Sequence, residues 1–125
     1  MLRELAHGIY PAVLAEGGIG PALERLRDTA PIPTELAALP GGRYGLSTEM
    51  AAYVVVVDAI EDAVSRDASR AVVSVHAGEQ QLVVTVDDDG DPRQAPLTGI
   101  ADRVGALAGR LQLETTSVHA EIPCA

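Results

Sequence analysis

Val83-Val84-Thr85-Val86-Asp87-Asp88-Asp89-Gly90-Asp91 is the stretch on which the fold turns. An apolar alternation of strand type runs directly into four carboxylates grouped around one glycine. Neighbouring acids repel one another, and a plain turn would be served by one Asp and a Gly. A strand that ends in such a cluster is therefore read as delivering a site, the alternative being a solvated acidic turn.

Working outward, Ala71, Val73 and Val75 alternate in the same way as Leu82, Val84 and Val86. The two runs are expected to pair as a hairpin turning at Ala77-Gly78-Glu79. Downstream, Asp91-Pro92 opens a polar loop to about Leu97. Ile100, Val104 and Leu107 then mark a helix that closes at Gly109. Residues 111–114 and 118–122 alternate again, across a tight Thr115-Thr116-Ser117 turn.

Upstream lies the longest helix, with Ser47 as N-cap, Glu49 in the first turn and an end near Ser65. Val54 to Val57, four β-branched residues in a row, would read alone as a strand. Met50, Tyr53, Val54, Val57, Ile60 and Val64 nevertheless keep the 3–4 spacing of one buried stripe over about four turns, longer than a strand holds. Before it, residues 2–6 read as the end of a helix stopped by Gly8, and Ile9-Tyr10-Pro11 as an extended joint. A short helix is expected over 11–15, a break at Gly17-Gly18, a helix from Pro21 to about Ala30, and an edge strand over 34–39. This order predicts an α/β two-layer sandwich, a mixed sheet covered on one face by about three helices.

Composition narrows the function. The 125 residues fit one domain, and 47% are hydrophobic with no Phe or Trp, so Val, Leu, Ile and Ala must build the core. A net charge of -9 repels nucleic acid and anionic membrane. All nine basic residues are Arg, which excludes lysine-based phosphate loops, Schiff bases and general bases. The single Cys124 cannot form an internal disulfide and fits a reducing compartment. No run approaches the roughly 20 apolar residues of a membrane span, and a soluble cytoplasmic domain is expected. The three histidines lack the Cys or carboxylate spacing of a zinc site.

Several segments together resemble a known family. Residues 2–14, Leu-Arg-Glu-Leu-Ala-His-Gly-Ile-Tyr-Pro-Ala-Val-Leu, look like the joint after the dimerisation helices of sensor histidine kinases of the nitrate-sensor type, and residues 18–23, Gly-Ile-Gly-Pro-Ala-Leu, continue it. Residues 52–62 are similar to that family's nucleotide-binding helix and Thr85 to Gly90 to its adenine-binding motif. Leu97-Thr98-Gly99-Ile100-Ala101-Asp102-Arg103-Val104 is similar to its Leu-x-Gly-x-x-x-Arg-Val segment. Gly109-Arg110-Leu111 and Glu121-Ile122-Pro123 resemble its closing strands.

The resemblance implies the Bergerat ATP-binding fold, with residues 1–15 as the end of a linker and 16–125 as the ATP-binding domain. It implies ATP and Mg²⁺ as cofactors. Asp88 would accept from the adenine amine, and Gly90 would give the base close backbone approach. Asp58 and Asp62 stand where the family has a catalytic Glu and a Mg²⁺-holding Asn. Arg66 is what remains of a basic pair beside the nucleotide, and Gly99 opens the helix facing the phosphates. Three departures stand out: Pro92 replaces a glycine, Pro96 another, and Thr115-Thr116-Ser117 replaces a glycine-rich turn.

No histidine here is followed by an acid, so the phosphoacceptor would lie outside this chain. The implied partners are the dimerisation and phosphoacceptor helices of the same kinase and, indirectly, a response regulator. The alternative is a non-catalytic module of the same fold acting through protein contacts; an anti-sigma-type kinase is more distant.

Overall fold

The computed structural model describes residues 12–124. The expected helix end at 2–6, the stop at Gly8, the joint at 9–11 and His7 lie outside the described residues. Among the described residues, four helices and five strands follow in the order α1 (Ala12–Gly17), α2 (Ile19–Thr29), β1 (Thr34–Ala38), α3 (Leu46–Ser65), β2 (Ala71–Gly78), β3 (Gln81–Asp88), α4 (Thr98–Ala106), β4 (Arg110–Glu114) and β5 (Ser117–Pro123). The strands form one mixed sheet in the order β1-β2-β3-β5-β4, in which only β1 and β2 run parallel. The helices pack on one side of it, so the expected two-layer α/β sandwich is the observed architecture.

Strand register follows from the period-two pattern. Val73 pairs with Val86 and Val75 with Val84 across β2 and β3, while Val86 pairs with Val118, Val84 with Ala120 and Leu82 with Ile122 across β3 and β5. All these side chains are buried, so a one-residue slip would turn the whole apolar set to the other face. The opposite face carries the row Ser74, Thr85, His119 and Gln112. There Thr85 Oγ1 and His119 Nδ1 lie 3.3 Å apart.

The four-valine run is helical, as its spacing predicts, but it is not a one-sided stripe. Every residue from Ala51 to Val57 is buried, because α3 rests on β2, β3 and β5 and is flanked by α1, α2 and α4. A helix covered on all sides has no solvent face to keep polar. Val64 departs from the expected stripe: it is exposed, and Ala63 takes the buried position in the last turn. The N-cap is Gly45 rather than Ser47, which lies inside the helix. The first hairpin turns at Glu79-Gln80, with Gln80 at φ 58°, later than Ala77-Gly78-Glu79. Helix α1 reaches Gly17, and α2 begins two residues before Pro21.

A buried carboxylate fixes the start of α3. Glu49 is fully buried, accepting from Arg43 Nε and Nη2 at 3.1 Å each and from the Tyr44 N–H at 2.8 Å. Arg43 Nη2 also donates to Ala15 O at 3.1 Å, tying the α3 entry to α1. Burial alone would raise the Glu49 pKa, but the Arg43 and Tyr44 donors outweigh it and the net shift is downward. A carboxylate lowered in the folded state adds stability that is complete above its unfolded value and is lost as pH falls through the folded one.

Two outcomes follow. Glu49→Gln should weaken the fold by about 1–3 kcal/mol at neutral pH, through loss of charge-assisted hydrogen bonds. It should also flatten the decline of stability below about pH 4.3, the unfolded carboxylate range, as read from urea midpoints across pH. Gly109→Ala should lower the melting temperature by several degrees, since its Cβ would meet Glu121 O at 2.5 Å and Val104 Cγ1 at 2.9 Å.

Candidate functional site

The site residues come from three places: the last turns of α3, the end of β3 with the loop after it, and the start of α4. Asp58 and Asp62 lie four residues apart on α3, hence on one face, and Arg66 is the helix C-cap. Strand β3 carries Asp88 at its last position, beside this helix end, and Gly90 follows. Gly99 is the second residue of α4, where Leu97 at the N-cap makes no side-chain cap hydrogen bond.

Arg66 joins these elements. Its Nη1 and Nη2 meet Asp88 Oδ1 and Oδ2 at 3.1 and 2.6 Å, a two-pronged pairing of guanidinium and carboxylate. Its Nε donates to Asp62 Oδ2 at 2.9 Å. The Asp62 oxygen is shared by a second guanidinium, Arg93 Nε at 3.0 Å. The cluster is dry: side-chain exposure is 2% for Asp88, 5% for Arg93, 9% for Arg66 and 17% for Asp62. Burial alone would lower the Arg66 pKa, but the hydrogen bonds it donates to Asp88 and Asp62 outweigh it and the guanidinium is held charged more firmly than usual.

Of the four acids of the opening stretch, Asp88 and Asp89 turn their carboxylates to different partners. Asp88 Oδ1 also accepts from the Gly90 N–H at 2.8 Å. Asp89 turns outward, where its Oδ1 accepts from the Ser69 N–H at 2.7 Å and the Arg70 N–H at 3.1 Å, and its Oδ2 takes the Ser69 hydroxyl. These donors, the Ser69 hydroxyl foremost, hold the Asp89 carboxyl below its ordinary pKa. Asp91 enters through its backbone, donating N–H to Arg66 O at 2.8 Å and accepting Arg66 Nη1 on its carbonyl at 2.7 Å. Asp87 is exposed.

The β4–β5 turn meets this cluster with carbonyl oxygens. Thr116 O accepts the Asp88 N–H at 3.0 Å, and Thr115 O accepts the Arg93 N–H at 2.9 Å. Arg93 Nη1 donates to Glu114 O and, at 3.4 Å, to Ser117 O. A glycine-rich phosphate loop presents N–H groups; here the corresponding turn shows the opposite end of the peptide dipole. The close approach at Gly90 is made by the chain itself, since a Cβ there would lie 2.9 Å from Arg66 O and 3.2 Å from Ala68. At Gly99 an added Cβ would meet nothing within 4 Å, so the fold does not demand a glycine there.

In this arrangement the residues do not fit an adenine nucleotide or its metal. Both Asp88 oxygens are taken, and Asp62 Oδ2 already holds two guanidinium groups. Among the described residues no three His, Cys, Asp or Glu side chains converge as a metal-binding group. Asp88 borders a hollow of about 190 Å³ with Arg70, Val72, Asp87 and Asp89, smaller than the pockets that enclose most ligands. Asp58 is half-buried one turn before Asp62, whose carboxylate is mostly covered.

The structure thus brings Asp62, Arg66, Asp88 and Gly90 together and leaves Gly99 exposed at the head of α4. Sequence reasoning missed Arg93, which it left inside a polar loop. The signal was charge: acids brought together in a dry site need cations, and all nine in this chain are arginines.

No protein-family model and no curated protein matches the chain. Solved structures do. The chain is similar to the Erythrobacter litoralis EL346 blue-light activated histidine kinase at 19% identity and a TM-score of 0.59, covering 85% of this chain and 45% of that one. It is similar to the catalytic domain of histidine kinase ThkA at 11% identity and a TM-score of 0.54, covering 82% and 85%. A mycobacterial sensor histidine kinase, MprB, matches at 16% identity and a TM-score of 0.51, covering 90% and 92%. The chain spans under half the length of the first of these, and at such identities the likeness concerns architecture. The fold is that of histidine kinase catalytic domains.

Proposed function

We propose that this chain is the ATP-binding catalytic domain of a two-component sensor histidine kinase, of the nitrate-sensor type, in a state whose nucleotide site is closed by Arg66. The observation that carries the reading is Asp88 followed by Gly90 at the end of β3, against the last turn of α3, in a fold shared with kinase catalytic domains. A carboxylate there suits an exocyclic amine, which donates two hydrogens that a paired acceptor can take. In the open state Asp88 and Gly90 would take the base, Gly99 would offer the N–H groups of the α4 start to phosphate, and Arg66 would be free to meet that charge. Asp62 would hold Mg²⁺ as a hard oxygen donor, and Asp58 would sit one turn away as the polarising acid.

ATP would supply the phosphoryl group and Mg²⁺ would offset its charge. The acceptor would be a histidine on the dimerisation and phosphoacceptor helices of the same kinase, with a response regulator next in line. The net charge of -9 argues against nucleic acid or a membrane as partner.

A second reading, a non-catalytic module acting through protein contacts, has its own support. The carbonyl-lined β4–β5 turn and the paired Asp62 oppose phosphate, and Pro92 withholds an N–H from the loop.

Isothermal titration of ATP with and without Mg²⁺ separates the two. The catalytic reading expects Mg²⁺-dependent binding with a Kd on the order of 0.1–1 mM, weakened at least about tenfold in Asp88→Asn. Absence of heat at several-millimolar nucleotide, in the wild type and in Arg66→Ser alike, would overturn it in favour of the second.

A further inference from the structure

We propose that the free edge of β4 pairs with the same edge of a second copy of this chain, antiparallel and centred on Gln112, joining two five-stranded sheets across a two-fold axis. The proposal concerns the sheet edge alone and does not depend on nucleotide binding.

The edge is open. Strand β4 (Arg110–Glu114) ends the sheet beyond β5 and meets it through the two-residue turn Thr115-Thr116. Such a turn makes Glu114 and Ser117 a hydrogen-bonded pair, so by alternation Arg110, Gln112 and Glu114 turn their backbone groups toward β5. The N–H and C=O groups of Leu111 and Leu113 then point away from the sheet, and among the described residues no other element's backbone bonds them. An unpaired edge of this kind is a template for another strand. The opposite edge is guarded: β1 follows Pro31 and Pro33, precedes Pro40, and breaks register between Leu36 and Ala38. Strand β4 contains no proline, and its register is unbroken.

The side chains select which strand is added. Arg-Leu-Gln-Leu-Glu is its own complement when reversed. About Gln112, antiparallel pairing sets Arg110 against Glu114 of the second copy, twice by symmetry, and Leu111 against Leu113. Arg110, Gln112 and Glu114 are exposed. Because their backbones bond β5, they would form the non-hydrogen-bonded pairs of the new junction, where Cα atoms lie about 4.5 Å apart and side chains meet most closely. Parallel pairing in register would oppose like charges. On the helix-bearing face Leu111 and Leu113 are only half-buried, apolar surface that the leucines of a second copy would cover. Leu113 also borders a hollow of about 360 Å³ with Ala95 and Pro96, room for the leucine brought opposite it.

Five residues a side cover far less than the roughly 800 Å² per partner of a standard interface. The net charge of -9 also opposes two copies at long range. Separate chains should therefore associate weakly, with a Kd of about 0.1–1 mM.

Charge exchange tests the pairing, by sedimentation equilibrium of the full chain up to about 1 mM. The wild type should gain mass with concentration toward a dimer. Arg110→Glu and Glu114→Arg should each stay monomeric, and an equimolar mixture of the two should recover the association, since each supplies the charge the other lacks. Should Arg110→Glu fail to fold, because Arg110 also faces Glu121 across β4 and β5, Gln112→Lys replaces it: like charges then meet at the axis, and the variant should stay monomeric. Hydrogen exchange reads the register. Between about 0.05 and 1 mM the Leu111 and Leu113 amides should slow at least about twofold relative to Gln112, whose N–H bonds β5 in either state. A wild type monomeric throughout, association that survives the single exchanges, or a mixture of the two that stays monomeric would overturn the proposal.

Discussion

The guanidinium of Arg66 meets both oxygens of Asp88, at 3.1 and 2.6 Å, in a place from which water is almost excluded. Around this contact the end of α3, the end of β3, the loop after it and the β4–β5 turn take their positions. A buried carboxylate without a cation, or a buried guanidinium without an acceptor, would cost far more than the pair contributes over an apolar substitute. The contact therefore acts chiefly as a constraint: once α3 rests on the sheet, Arg66 and Asp88 must find each other. The backbone agrees, since the Asp91 N–H bonds Arg66 O and Gly90 leaves room for that carbonyl.

The same constraint gives the site its character. Between the end of the long helix and the sheet the chain places its own arginine. Asp62, which alone would set a negative charge beside any phosphate, is neutralised by two cations, and the nearby turn contributes carbonyls rather than N–H groups. A carboxylate facing phosphate without a cation would be repelled by several kcal/mol even at an effective dielectric near 20. In the folded domain the two guanidinium groups remove that negative charge.

Much of the fold was legible in the sequence because its signals are periodic. Val73, Val75, Leu82, Val84 and Val86 alternate, and their strands pair as that alternation requires. The 3–4 spacing through Tyr53, Val57 and Ile60 outweighed the strand preference of four consecutive valines. Edges were less legible: Ser47 is a good cap by type, yet Gly45 takes the position, and the hairpin turns at Glu79-Gln80, with Gln80 rather than a glycine at positive φ. Of the site, the meeting of Asp62, Arg66, Asp88 and Gly90 was readable from spacing and resemblance. The pairing of Arg66 with Asp88, and the arrival of Arg93 from a loop, depend on contacts 22 and 31 residues apart in sequence, which local patterns do not encode.

The central claim is that Arg66 and Asp88 are energetically coupled in the folded domain. A double-mutant cycle tests it most directly, from urea unfolding of the wild type, Arg66→Met, Asp88→Asn and the double variant. The account predicts a coupling energy of about 2–3 kcal/mol, with the double variant more stable than the sum of the single losses implies. A coupling below about 0.5 kcal/mol, the range of independent sites, would contradict it.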